Sequence, residues 1–347
     1  MDAKGGKKMN VLDFTPDRLR QKFEELGWKK FRADQLCDWV YDKRVMDVQA
    51  MTNLSKPFRE ELAASFEIGL PALVERQESK RDGTKKYLFE LSDGQRIESV
   101  LLSHPNRRTA CISTQVGCPL KCTFCATGQS GYARNLELGE IHGQVLAIRV
   151  LENVRVSNIV FMGMGEPLLN LENVLQAVSI LHEPRLYNIG KRHITISTAG
   201  IVPGIDRLAD LRWGGRLSVS LHAPNNAVRD RLMPINHQYP VEEVLQAIGR
   251  YSELTSDRVT IEYALIREVN DSMENAGELL QRLKGMKVNV NLIPVNPVEG
   301  SYERSSLSQV EAFQKILADG GVETVVRVEK GIDIDAACGQ LRKRGGK

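Results

Sequence analysis

No stretch of this 347-residue chain reaches the roughly 18–20 consecutive apolar residues that a membrane span requires. The opening residues, MDAKGGKKMN, lack the apolar core of an export signal and read as a short polar leader. A strong excess of one charge is also missing. Lysine and arginine total 47 against 44 aspartates and glutamates, giving a net charge of +3 and a pI near 8.4. Domains that grip phosphates through charge alone usually exceed pI 9, so this balance permits nucleic acid without demanding it. Cysteine is scarce, at six residues. Without an export signal those thiols are expected in a reducing cytoplasm. There, clustered cysteines bind metal or do chemistry more often than they form structural disulfides.

What is present is the composition of an ordinary globular protein, 42% hydrophobic and 26% charged, with length enough for about two domains. Positive charge gathers at Lys4, Lys7 and Lys8, around Lys29, Lys30 and Arg32, and in the terminal RKRGGK. Each cluster alone is also what a solvated face looks like.

Residues 12–66 read as helical. Thr15-Pro16-Asp17 supplies a cap and a first-turn proline. LRQKFEELGWKKF, FRADQLCDWVYDKRV and SKPFREELAASF then carry apolar residues at helical spacing. Cys37, beside Leu36 and Trp39, reads as a buried packing thiol. From 70 to 103, ALVERQES, KKYLFEL and RIESVLLS are strand-like, separated by Asp-Gly pairs that signal hairpins. Beyond residue 108 the strand-like runs TACISTQV, SNIVFMG, HITISTA, RLSVSLH, RVTIEYALI, KVNVNLIPV and ETVVRVE alternate with helical stretches. That alternation predicts an α/β fold of parallel strands joined by right-handed crossovers. Seven strands are too few for a closed eightfold barrel, so an open partial barrel of about six βα units is expected, and chemistry should gather at the C-terminal strand ends. The expected units are a helical accessory region (1–66), a small antiparallel β extension (67–107), the barrel (108–330) and a C-terminal segment (331–347).

GCPLKCTFCATG follows the first barrel strand and places Cys118, Cys122 and Cys125 within eight residues. A structural zinc site would need a fourth ligand to close its tetrahedron, and none follows until His142, inside a helical stretch. Three thiolates on an iron–sulfur cluster would leave one iron open to an exogenous ligand. The C-x₃-C-x₂-C spacing, with Phe124 before the last cysteine, resembles the radical S-adenosylmethionine superfamily. That resemblance implies a TIM-like (βα)6 partial barrel and a [4Fe–4S] cluster on the three cysteines. Its open iron would be ligated by the amino and carboxylate groups of S-adenosylmethionine, which yields a 5′-deoxyadenosyl radical. The strand ends agree in turn. FMGMGEPL supplies Gly163, Gly165 and Glu166, the last suited to the methionine amino group. Ser197 ends the third strand, Ser220, Leu221 and His222 end the fourth, and Asn296 follows the sixth. A polar loop residue is the default for each alone, but together they would ring a ligand.

Cys111 and Cys338 fall outside the cluster. A disulfide between them would close a loop of more than 200 residues, worth about 5 kcal/mol on the chain-entropy model, yet a reducing compartment argues against its persistence. GIDIDAACGQL, CISTQVGCPLKCTFCATG and FMGMGEPL together resemble the radical methyltransferases that place a methyl group on an adenine ring carbon in RNA, and the likeness spans the whole chain. It implies that Cys338 takes a methyl group from one S-adenosylmethionine, that a second generates the radical, and that Cys111 resolves the adduct through a transient disulfide. Glu98 matches the proton acceptor of that family, although an exposed strand glutamate is the plain alternative. The implied substrates are an adenine in the peptidyl transferase centre of 23S rRNA and an adenine beside the tRNA anticodon. A separate electron donor and a monomeric enzyme are expected, with the helical region reading RNA shape. A sister group that methylates carbon 8 carries alanine after the MGMGE glutamate. Pro167 stands here and favours carbon 2. A radical enzyme acting on a small molecule and a non-catalytic iron–sulfur RNA-binding protein remain as rivals.

Overall fold

The computed structural model describes residues 8–296 and 302–342. The leader lysines Lys4 and Lys7, and the basic run beyond Arg342, lie outside the described residues.

The N-terminal unit contains β1 (Met9–Asn10), α1 (Pro16–Glu25), α2 (Phe31–Cys37), α3 (Lys56–Ser65) and β2 (Phe66–Glu67). Thr15 caps α1 through its hydroxyl, which accepts from the Arg18 N–H. The unit closes when β1 pairs in parallel with β2 and when Phe23, Trp28 and Phe58 meet edge to face. Cys37 is buried there, and burial followed by Asp34 and Asp38 pushes its thiol up to about 12. Such a thiol packs and does not react.

Four antiparallel strands come next: β3 (Ala72–Glu78), β4 (Lys85–Glu90), β5 (Arg96–His104) and β6 (Arg107–Cys111). They do not form a sheet of their own. β6 pairs in parallel with β9 (Asn158–Phe161), so the hairpins continue the main sheet. The run TACISTQV, expected as one strand, is split after Cys111. Its second half, β7 (Gln115–Gly117), turns away to pair with β8 (Tyr132–Asn135), and α4 (Ala126–Gln129) lies between them.

The barrel alternates as α5 (Leu138–Glu152), β9, α6 (Leu171–His182), β10 (Ile194–Thr198), α7 (Val202–Asp210) and β11 (Arg216–Ser220). It continues through α8 (Asn226–Leu232), α9 (Val241–Thr255), β12 (Val259–Leu265), α10 (Met273–Leu283), β13 (Val288–Pro294), α11 (Leu307–Asp319) and β14 (Thr324–Val326). One ten-stranded sheet results, in the order β14-β13-β12-β11-β10-β9-β6-β5-β4-β3. Every pair from β6 to β14 is parallel, which is the partial (βα)6 barrel. α5 is buried along most of its length, between the sheet and the N-terminal unit. His142 on α5 bonds the Leu12 carbonyl at 2.8 Å and the Tyr187 hydroxyl at 3.0 Å. One continuous apolar core therefore runs from Leu12 and Phe23 to Val219 and Phe313. No helix among the described residues is long and apolar enough to cross a membrane.

Candidate active site

Two adjoining cavities occupy the barrel, one at the C-terminal strand ends and one running down the lumen to Asn158, Arg192 and Arg216 at the N-terminal ends of β9, β10 and β11. Cys338 lies on the wall they share with Met162, Asn296 and Arg327. The first holds the three clustered cysteines. Their loop begins at Gly117, whose φ is +80° and whose hypothetical Cβ would stand 1.8 Å from the Gly131 carbonyl oxygen, so only glycine fits. The Cys118 N–H donates to that same carbonyl at 3.0 Å and the Cys125 N–H to the Cys122 carbonyl at 3.2 Å, folding the loop on itself. Among the described residues no three His, Cys, Asp or Glu side chains converge as ligands of a single ion would. Thiolates on a multi-iron cluster need not converge on one point. Three soft donors with no fourth suit such a cluster with an open iron.

Gly165, at φ +101°, packs against Gln115 where any Cβ would come within 2.5 Å, and so delivers Glu166 to the same cavity. The Glu166 carboxylate accepts from the Leu168 N–H at 3.0 Å and the Ala199 N–H at 2.7 Å. Burial nonetheless pushes it up to about 7. Ser197, Ser220, His222 and Asn296 complete that lining. His222 accepts the Ala264 N–H on Nδ1 at 2.9 Å and is held neutral by burial, down to about 3. Its proton therefore sits on Nε2, as a donor. The Asn296 amide donates to the Cys338 carbonyl at 3.2 Å, while its buried Oδ1 has no hydrogen-bond partner among the described residues. Leu221 lines neither cavity. Its N–H donates to the Glu262 carbonyl at 3.1 Å, and its own carbonyl accepts from Arg229.

The second cavity carries Cys111 at the end of β6, with Arg107, Arg192, Arg216, Arg327 and Lys330 around it. Burial, then the neighbouring Cys338, pushes the Cys111 thiol up to about 12. All six cysteines are free thiols, so the expected disulfide is absent from the described residues. Glu98 lines neither cavity. It is buried on β5, where its carboxylate accepts from the Arg342 N–H at 2.9 Å and lies 3.7 Å from Lys86 Nζ.

Sequence reasoning missed three residues. Arg229 on α8 is wholly buried and donates only to neutral oxygens, those of Leu221, Ala199, Ser220, Tyr239 and Asn236. It stitches the ends of β10 and β11 behind the cavity. Arg327 and Glu262 line the first cavity from β12 and just beyond β14. Glu262 is the single charge within VTIEYALI and Arg327 the single charge within TVVRV, and that was the available signal.

The radical SAM superfamily model matches residues 112–280, and the N-terminal domain model of ribosomal RNA large subunit methyltransferases matches residues 9–68. The probable dual-specificity RNA methyltransferase RlmN of Petrotoga mobilis is 54% identical over 336 residues, covering 96% of this chain and 97% of the relative. The counterpart from Thermotoga neapolitana is 52% identical over 333 residues, covering 96% and 97%. A crystal structure of a radical SAM methyltransferase from Sphaerobacter thermophilus superposes with a TM-score of 0.92 at 44% identity, covering 96% of this chain and 99% of that one. Cysteine loop, barrel and N-terminal unit thus agree over nearly the full length, and the chain belongs to the RlmN family of radical SAM RNA methyltransferases.

Proposed function

We propose that this protein methylates carbon 2 of an adenine in 23S rRNA and of an adenine beside the tRNA anticodon, carrying the methyl group on Cys338. The observation that carries the reading is the position of Cys338 on the wall between two cavities, one with the cysteine loop and one rimmed by arginines. The family uses a [4Fe–4S] cluster and two S-adenosylmethionine molecules per turnover, which together supply a transferable methyl group and a one-electron hydrogen-abstracting reagent. Cys118, Cys122 and Cys125 would hold the cluster, and Glu166, Ser197, Ser220, His222 and Asn296 would seat the cofactor.

The chain's own residues divide the work. The Cys338 sulfur attacks the sulfonium methyl, its S–C bond forming as the donor S–C bond breaks and the thiol proton leaves to solvent. The arginines and Lys330 neutralise RNA phosphates and admit a flipped adenine. Glu98 accepts the carbon-2 proton once the C-terminal segment lifts the Arg342 N–H from its carboxylate. Cys111, deprotonated, attacks the Cys338 sulfur, so that an S–S bond forms, the S–C bond breaks with its electron pair going to carbon, and a proton from solvent completes the new methyl group on the base. The disulfide is the oxidised enzyme, and its return to two thiols needs electrons and protons from a separate donor. The setting is the cytoplasm and the enzyme acts as a monomer. Carbon 2 is preferred because the relatives carry the RlmN name and because Pro167 opens the turn whose Leu168 N–H bonds Glu166.

Nuclease digestion and mass spectrometry of RNA after anaerobic reaction tests this. 2-Methyladenosine in 23S rRNA and tRNA is expected. 8-Methyladenosine would move the enzyme to the carbon-8 reaction. RNA binding without any S-adenosylmethionine turnover would leave an iron–sulfur binding protein.

A further inference from the structure

Glu262 has no place in the chemistry above, yet it is among the most costly side chains in the barrel. It sits at the centre of β12 between β11 and β13, in register with Ser220 on one side and Asn291 on the other. It is 3% exposed and lines the cavity of the cysteine loop but not the arginine-rimmed one. Oε1 accepts from the Asn291 amide at 3.2 Å. The Ser218 hydroxyl on β11 lies near the carboxylate and favours its charge. Oε2 nonetheless has no partner in hydrogen-bond geometry among the described residues, and Arg327 Nη1 is 3.9 Å away, too far for a hydrogen bond. A buried carboxylate oxygen left unpaired is disfavoured unless something else supplies the donor. Burial, the dominant influence, also raises its pKa against the pull of Arg327.

We infer that Glu262 is a further binding residue for S-adenosylmethionine, its free oxygen accepting a hydrogen bond from a ribose hydroxyl. The inference rests on the proposed function, which puts the amino-acid end of the cofactor at Glu166. Glu166 follows β9, three strands from β12, or roughly 14 Å along the curved sheet and less across the lumen. A molecule held at Glu166 by its ammonium group reaches Glu262 only with its nucleoside. An acidic acceptor on a ribose hydroxyl is the pairing that dinucleotide sites also use. The ribose of the target nucleotide offers the same chemistry, but Glu262 does not face the arginine-rimmed cavity, so the cofactor is the favoured source.

The test is equilibrium dialysis of the cluster-loaded protein, without RNA, against S-adenosylmethionine and its 2′-deoxy and 3′-deoxy analogues. Wild-type protein should bind one deoxy analogue at least tenfold more weakly than the parent. Glu262→Ala should bind the parent about tenfold more weakly and lose that discrimination, so that parent and analogue bind alike. Cluster absorbance and thermal melting report whether the variant is folded. If it is not, Glu262→Gln carries the same comparison, with discrimination reduced severalfold. Full discrimination by a folded variant, or undiminished binding of both analogues to wild type, overturns the inference while leaving the proposed function intact. Failure of wild type to bind S-adenosylmethionine at all overturns both.

Discussion

Glu166 titrates near neutrality because burial opposes its charge more than the Leu168 and Ala199 N–H groups support it. Only the ionised form attracts an ammonium group. Affinity for S-adenosylmethionine should therefore fall as pH drops through about 7, approaching tenfold per pH unit on the acid side. Glu166→Gln should flatten that profile, and a flat wild-type profile would remove Glu166 as the ammonium partner. Cys111 makes a different prediction. On the proposed mechanism, Cys111→Ala leaves Cys338 free to accept a methyl group but removes the thiol that releases the base. A covalent protein–RNA adduct should accumulate, visible as a shifted band on a denaturing gel, and quantitative release of methylated RNA would contradict the assigned role. At this scale the cysteines were legible because thiolate spacing is local in sequence. Glu262, Arg327 and Arg229 were not, because each acquires its meaning from partners on other strands: Asn291 for Glu262, Met162 and Glu262 for Arg327, four backbone carbonyls for Arg229.

The C-terminal segment is the element that places Cys338, and little regular structure holds it. Polar contacts to the β3–β4 hairpin do so instead. Ser79 Oγ donates to Asp333 at 2.7 Å, the Lys80 N–H reaches the same carboxylate at 3.2 Å, and the Gly331 N–H donates to Asp82 at 2.9 Å. Lys86 Nζ donates to the Asp335 carbonyl at 3.2 Å while lying beside Glu98. On the opposite side the Ala126 N–H, at the start of α4, donates to the Gly339 carbonyl at 2.8 Å. Asp333→Ala removes two of these bonds at an exposed position, about 1 kcal/mol. Amide exchange across 331–342 should quicken about fivefold while the melting temperature holds; unchanged exchange would show that the hairpin does not anchor the segment. None of this could be read from GIDIDAACGQL, because the partners lie some 250 positions away. The β7–β8 ribbon escaped for a local reason. YARN is short and polar, and QVG looked like the end of the preceding strand.

Across the whole molecule, the alternation of strands and helices from residue 108 translated directly into seven parallel strands in chain order, because each crossover has one favoured hand. The antiparallel hairpins extend the sheet beyond β6 and present β5, with Glu98, beneath the C-terminal segment. The fusion of hairpins, barrel and helical unit through one core could not be seen in local patterns, since it depends on α5 burying both of its sides. The arrangement gives Cys338, the proposed methyl carrier, access to two chambers, and that is the central claim. It is tested most directly by a label. Enzyme methylated on Cys338 with deuteromethyl S-adenosylmethionine, freed of excess, is given RNA and unlabelled S-adenosylmethionine under reducing anaerobic conditions. Mass spectrometry should find the deuterium leaving Cys338 and appearing in 2-methyladenosine, with none transferred by Cys338→Ala. Unlabelled methyl groups in the first-turnover RNA, with the label still on Cys338, would contradict the account.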